Sequence, residues 1–384
     1  MEICSASFAY PQHAGPIRAE LARRLMRAPT LEVGFVLSTC LRVEIVVPGP
    51  ESRLEEALTK LIGDLPDGAH PQIRRGERAV GHIYRIAAGL ESPILGEQEV
   101  LTQFRQVLIE AEESGQVAGV FARLLEGAVG AGRHARELIP GSPHNSMAAV
   151  AAQAIGTVDR VAVLGAGVMA SSVIEGLLQL PAPPQVTVVA RHPEKVAKND
   201  LVQVLPFEEA RRVLESFPAV VSATSAKHRP IPDEVLSGIL TMRSTPLLLV
   251  DMAMPPDFAP PDEAAVRYID IDDLARMADR RARSDQADVF VESAAATAYR
   301  QYRDHHEIGP LIGSLMEKAD SLVDEVVGRF SGKLVGTQDE GVLRQAAHTV
   351  ARTLLAGPIS YLKTEERSAE AIDVIADAFG VEDE

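Results

Sequence analysis

The stretch Val161-Ala162-Val163-Leu164-Gly165-Ala166-Gly167-Val168-Met169-Ala170 decides the fold. Four consecutive apolar residues suit a strand buried on both faces, and a Gly-x-Gly-x-x-Ala pattern follows at once. That pattern opens an amphipathic helix expected over 169–180. Gly165 permits the tight turn, Gly167 lets backbone approach a pyrophosphate, and Ala170 allows close packing of helix on strand. The glycines alone are a weak signal, but between a strand and a helix they specify a dinucleotide-binding βαβ unit. Working outward, apolar runs at 160–164, 186–190, 219–223 and 247–251 alternate with helical segments. This predicts a Rossmann-type parallel sheet over residues 146–270.

The end of the second strand reads Val189-Ala190-Arg191-His192, with Lys195 a turn later. It lacks the carboxylate that would bind a ribose 2′-hydroxyl and offers a guanidinium to a 2′-phosphate, so NADPH is expected over NADH. Asp251-Met252-Ala253-Met254-Pro255 and the pair Thr224, Ser225 close two strands at the carboxyl edge, where ligands of such sheets sit. The expected cofactor-binding residues are Gly165, Gly167, Val168, Met169, Ala170, Arg191, Lys195 and Thr224. No metal site is expected.

The flanks differ from this centre. Residues 1–145 mix strands and helices: a strand near 3–8, a helix over 18–26, a strand pair around Cys40, and a helix over 92–114 with Ser92 as cap and Pro93 at its first position. From residue 271 the pattern becomes helical to the end of the chain, beginning with one unbroken charged run from Asp272 to about His305. Apolar stripes at 311–322, 343–355 and 372–379 suit a dimerisation unit; a self-contained helical cap on the second domain is the alternative. The expected architecture is therefore α/β and multidomain. An α+β domain spans 1–145, the Rossmann domain 146–270, and a long connecting helix with a helical dimerisation domain 271–384.

Composition bounds the function. The chain has 46% hydrophobic and 24% charged residues, as soluble globular proteins do. Two cysteines cannot frame a disulfide scaffold, and no signal-like or membrane-spanning run is present, so a cytoplasmic setting is expected. A net charge of −16 argues against generic nucleic-acid binding. Residues 1–150 are nearly neutral, however, with 15 Lys and Arg against 18 Asp and Glu. The groups Arg23-Arg24-Arg27 and Arg74-Arg75-Arg78 leave a specific RNA partner possible there. Cys40, in Leu37-Ser38-Thr39-Cys40-Leu41-Arg42-Val43-Glu44, ends an apolar stretch and is followed by charge. A thiol together with a nicotinamide is what reduction of an activated acyl group to an aldehyde requires. Cys4, on the first strand, reads as core.

Several segments, in order, resemble the glutamyl-tRNA reductase family. Ser38-Thr39-Cys40-x-Arg42-x-Glu44 is similar to its catalytic segment. A second signature resembles the run from His82-Ile83-Tyr84-Arg85 through Gly89-Leu90-Glu91-Ser92 to Ile94-Leu95-Gly96-Glu97. Gly132-Arg133-x-x-Arg136-Glu137, Tyr268-Ile269-Asp270-Ile271-Asp272-Asp273-Leu274 and Leu354-Leu355-x-x-Pro358 match further segments. The resemblance implies that Cys40 attacks the ester joining glutamate to tRNA and that NADPH reduces the thioester to glutamate-1-semialdehyde, the first step of tetrapyrrole synthesis. It makes Cys40 and His82 catalytic, and Thr39, Arg42, Ser92, Glu97 and Gln103 substrate-binding, with Arg42 on the substrate carboxylate. It also implies a homodimer, and the reactive aldehyde suggests direct transfer to a glutamate-1-semialdehyde aminomutase. Leu41 and Val43 stand where the family has Asn and Thr, and Met254-Pro255-Pro256-Asp257 lacks the family's Arg. The alternatives are a reductase of another charged tRNA in a specialised pathway and a non-catalytic regulatory homologue.

Overall fold

The computed structural model describes residues 2–139, 146–196, 201–226, 228–262, 264–278, 284–331, 333, 337–364 and 368–381, apart from the side chains of Lys195, Thr337, Gln338 and Ala369. The chain divides into two compact units, residues 2–296 and 297–384.

The first unit opens with strand β1 (Ile3–Ala9) and helix α1 (Gly15–Leu25), then β2 (Phe35–Ser38) and β3 (Arg42–Pro48) flank Cys40. Helix α2 (Glu51–Leu61), β4 (Gln72–Arg75), α3 (Glu77–Ala87), α4 (Gln98–Glu113) and α5 (Gly119–Leu138) complete this part. The strands form an antiparallel sheet in the order β2-β3-β1-β4. β1 and β3 are buried along nearly their whole length, and α1 and α2 cover one face through Leu21, Leu54, Ala57 and Leu61.

The expected helix over 92–114 starts later, at Gln98, and Ser92-Pro93 lie in the turn before it. Gly89 and Gly96 cause this. Both have φ of +73°, and a Cβ on Gly89 would stand 2.8 Å from the Glu97 nitrogen. The chain crosses itself there, in a conformation that only glycine adopts readily.

The sheet module follows: α6 (Met147–Ile155), β5 (Arg160–Leu164), α7 (Val168–Leu178), β6 (Gln185–Ala190), β7 (Val202–Pro206), α8 (Ala210–Ser216), β8 (Ala219–Ser222), α9 (Asp233–Thr241), β9 (Leu247–Asp251) and β10 (Val266–Ile269). All strand pairs are parallel, in the order β10-β9-β8-β5-β6-β7. The order reverses between β5 and β8, so the crevice at their carboxyl ends is where a dinucleotide sits in this fold. The run beginning at Asp272 resolves into two helices, α10 (Ile271–Met277) and α11 (Asp285–Glu307). Ala278 is extended, with ψ of 137°. Ser284 accepts from the Ala287 amide at 3.3 Å, an N-cap inside a run free of Gly and Pro.

In the second unit, α12 (Gly309–Ser331), α13 (Thr337–Leu362) and α14 (Ala369–Phe379) gather around Leu311, Leu315, Leu355 and Leu362. Leu322, Val350 and Leu354 of the same helices stay exposed.

One buried charge ties the first unit together. Arg18 is fully buried. It donates to the His13 carbonyl, to the Cys40 carbonyl at 3.3 Å, and to the Asp272 carboxylate. Asp272 also accepts from the Gly15 amide at 2.8 Å. Removing one partner of such a pair leaves an uncompensated buried charge, at a cost of about 3 kcal/mol or more. Asp272→Ala should therefore lower the denaturant midpoint by an amount corresponding to about 3 kcal/mol; an unchanged midpoint would show that Arg18 needs no such partner.

Candidate active site

The thiol sits at the tip of the β2–β3 hairpin. Thr39 N donates to the Arg42 carbonyl at 2.8 Å, leaving Cys40 and Leu41 as the two turn residues. The Leu41 amide donates to the Thr39 hydroxyl at 3.3 Å, and its carbonyl accepts from the Tyr10 amide at 2.9 Å. Cys40 is therefore held on both sides by backbone and from beneath by Arg18.

Residues from four segments close around it. Thr39, Cys40, Arg42, Ser92, Glu97 and Gln103 line one pocket, with Met169 from the first turn of α7 as a wall. Its free volume is about 10 Å³, room for roughly one water. Glu97 is buried, with the Ser92 hydroxyl and the Met147 amide near enough to favour its charged form. Burial, with Glu99 nearby, pushes its carboxyl up to about 7. Burial first, and Glu97 second, push the Cys40 thiol up to about 12, against the pull of Arg18 and Arg42.

Arg42 is buried on β3. One of its amino groups donates to the Glu91 carbonyl at 2.5 Å and the other lies 3.7 Å from Glu44. Its Nε is buried and unpartnered among the described residues. Glu44 accepts from the Ser7 hydroxyl at 2.9 Å and meets His82 Nε2 at 3.2 Å. His82 is thus not among the residues lining the thiol pocket; it stands behind Arg42, bound to Glu44. Cys4 is fully buried, as core.

The sheet module supplies the second half. Gly165 has φ of +121°, and a Cβ there would lie 2.5 Å from the Ala223 carbonyl, so no larger residue fits. Ala170 is fully buried against the strand, while Gly167 and Val168 leave the N-terminus of α7 open at the carboxyl edge. This is a cradle for a pyrophosphate. Arg191 is exposed at the end of β6; the Lys195 side chain lies outside the described residues. Thr224 donates to Asp257 at 2.7 Å, as does Ser222 at 2.6 Å. Asp251 accepts from the amides of Ala253 and Phe258, both at 3.0 Å, and burial with neighbouring Asp257 pushes it up to about 7. These two carboxylates shape the loops at the carboxyl edge. Among the described residues no group of three or more His, Cys, Asp or Glu could hold a metal ion.

Sequence reasoning passed over Arg18, Glu99 and Asp257. Arg18 left one signal: with Leu21 and Ala22 it occupies the buried stripe of an otherwise amphipathic helix. Leu41 has a structural reason. It belongs, with Ile94, to the apolar cluster built mainly from the sheet module, which includes Met147, Ala170 and Met252. The thiol turn thereby shares the apolar core of that module.

Comparison with known proteins identifies each part of the chain. The N-terminal domain of glutamyl-tRNA(Glu) reductase matches residues 7–138, and the dimerisation domain of the same enzyme matches 286–381. Between them, shikimate / quinate 5-dehydrogenase matches 149–277. The glutamyl-tRNA reductase of Roseiflexus castenholzii is 28% identical over 92% of this chain and 89% of its own. That of Geobacillus kaustophilus is 28% identical over 94% and 86%. A solved structure, the glutamyl-tRNA reductase from Methanopyrus kandleri, is 23% identical, covering 98% of this chain and 97% of that one, with a TM-score of 0.49. The sheet module is of a nucleotide-binding type suited to a NAD(P) cofactor, and no helix among the described residues is long and apolar enough to cross a membrane.

The two raised carboxyls set a pH dependence of stability. Glu97 and Asp251 hold protons in the folded chain up to about 7, whereas ordinary Glu and Asp release them near 4.5 and 3.8. The folded state binds more protons across that window, so stability falls as pH rises through it, by up to about 3 kcal/mol for Glu97 and about 4 kcal/mol for Asp251. Glu97→Gln and Asp251→Asn should each flatten this decline in denaturation midpoints measured from pH 4.5 to 8. A decline of full size in both variants would place its origin elsewhere.

Proposed function

This chain belongs to the glutamyl-tRNA reductase family, and we propose that it reduces the glutamyl group of charged tRNA to glutamate-1-semialdehyde, the first step of tetrapyrrole synthesis. The observation that carries this reading is the convergence of Thr39, Cys40, Arg42, Ser92, Glu97 and Gln103 on one pocket walled by the nucleotide-binding helix.

The residues divide the work. Cys40 Sγ attacks the ester carbonyl, the carbon–oxygen bond to the tRNA 3′ end breaks, and a thioester forms. A thiol that burial holds near 12 needs a base beside it, and Glu97, near 7, is matched to that task at neutral pH. Glu97 takes the thiol proton and returns it to the departing 3′ oxygen. The ester is already activated, so no ATP is needed. Arg42 holds the substrate's side-chain carboxylate, and its unpartnered Nε is the donor left for it. His82 orients Glu44 and through it Arg42, as a positioning residue. Gly165, Gly167 and the N-terminus of α7 would hold NADPH, with Arg191 available to its 2′-phosphate, and the cofactor would supply the hydride that reduces the thioester to the aldehyde and returns the Cys40 thiol.

A pocket of about 10 Å³ cannot admit a glutamyl group beside Met169. Acylation therefore requires the sheet module to draw back from the thiol, and reduction requires it to return. The C-terminal helices pair two copies through the exposed apolar residues of α12 and α13, and the aldehyde passes to an aminomutase in the cytoplasm. The boundaries 1–145, 146–270 and 271–384 are the working division of these roles. Leu41, where the family has Asn, is buried in the apolar cluster of the sheet module.

In a single-turnover mixture with glutamyl-tRNA and NADPH, wild type should yield trapped aldehyde and Cys40→Ser none. Glu97→Gln should slow thioester formation about 100-fold or more. Aldehyde from Cys40→Ser would refute the covalent route. Arg191→Glu should raise KM for NADPH at least tenfold and leave NADH little changed; equal wild-type use of the two would remove the assignment of NADPH.

A further inference from the structure

Beside the thiol pocket lies a second, larger cavity of about 1190 Å³, lined by Arg74, Arg75, Arg78 and Arg85 from β4 and α3. In a chain of net charge −16 this is a local concentration of guanidinium groups. Two are already engaged: Arg75 with Glu51, and Arg85 with Glu91 at 2.7 Å and Asp288 at 2.6 Å. Arg74 bonds only within its own strand, to Gln72, and among the described residues neither it nor Arg78 meets a carboxylate. Glu77, Glu91 and Glu292 also line the cavity, so its charge is not uniform.

The helix periodicity gives the cavity a floor. Arg78, His82 and Arg85 recur at the spacing of one helix face, and Gly81 on that face has nothing within 4 Å of where a Cβ would stand. A chain laid across this face meets cations on either side of an open step. The cavity and the thiol pocket share a wall: Glu91 lines the first and Ser92 the second, and Arg42 donates to the Glu91 carbonyl between them.

We propose that this groove receives the single-stranded 3′ end of the charged tRNA, with backbone phosphates on Arg74 and Arg78 and the acylated terminus passing over Glu91-Ser92 to Cys40. The proposal rests on the reading of the chain as a glutamyl-tRNA reductase and adds where the nucleic acid lies. Among the described residues no Phe, Tyr or Trp lines the groove, so the proposed contact is with the phosphate backbone and not by base stacking. It must then be strongly salt-dependent and tolerant of base identity.

The test is fluorescence anisotropy of uncharged tRNA at graded salt, beside steady-state reduction of glutamyl-tRNA. The proteins are wild type, Arg74→Glu/Arg78→Glu, Arg74→Lys/Arg78→Lys, and Arg211→Glu/Arg212→Glu. The last carries the same charge change on α8. The groove reversal should weaken tRNA binding about 30-fold and reduce the slope of log K against log salt by about 1.4, roughly 0.7 per lost phosphate contact. KM for charged tRNA should rise in parallel, with NADPH binding intact, while the lysine pair and the α8 pair stay within about threefold of wild type. If wild type makes aldehyde and the groove reversal binds tRNA with wild-type affinity and slope, or no worse than the α8 pair, the groove is wrong and the activity stands. If wild type neither binds tRNA nor makes aldehyde, the activity itself is wrong and the groove falls with it.

Discussion

The arrangement depends on one buried guanidinium. Arg18 lies with no exposed surface among the His13 carbonyl, the Cys40 carbonyl and the Asp272 carboxylate. A charge so placed is tolerable only if every partner is present. It joins the thiol turn to the helix that leaves the parallel sheet, so this interaction helps hold the two halves of the site in their closed arrangement. Leu41 adds the apolar part, packing into the sheet-module cluster directly after the thiol.

That docking also decides the chemistry. Burying Cys40 against Met169 keeps water away from a thioester but disfavours the thiolate. The same burial lifts Glu97 into the range where a carboxylate accepts a proton near neutral pH. One physical cause, desolvation, raises both the Cys40 thiol and the Glu97 carboxyl, the proposed nucleophile and the proposed base. Arg42 is held apart from this exchange: Glu44, Ser7 and His82 brace it from behind through a buried chain of hydrogen bonds. With its amino groups so engaged, Arg42 has its buried Nε left for the carboxylate it is proposed to bind. On the other side of Arg42 lies the groove carrying Arg74 and Arg78, so in the proposed roles nucleic acid and amino acid are read by neighbouring but separate guanidinium groups.

Much of this was legible in the sequence because it rests on local rules. The alternation of apolar strands with helices, and the Gly165–Ala170 fingerprint after a strand, require the parallel sheet and its nucleotide-binding turn. The same holds for the apolar stripes of the C-terminal helices and the position of Cys40 between two strands. Pocket residues from four separate segments could be named together only through resemblance to a family, since nothing in their spacing makes them neighbours.

Tertiary structure decided the rest. The helix expected from Ser92 begins at Gln98 because Gly89 and Gly96 cross at van der Waals contact, a constraint invisible in propensity. The run from Asp272 breaks where Ala278 turns extended and Ser284 caps a new helix. Arg18, an unremarked basic residue in sequence, became the central tie, and His82 moved behind Arg42 because Glu44 stands between two strands to receive it. Sequence determined which segments form and which chemistry they carry. Burial and long-range hydrogen bonding are properties of the assembled chain, and they alone determined which charges face each other and at what protonation.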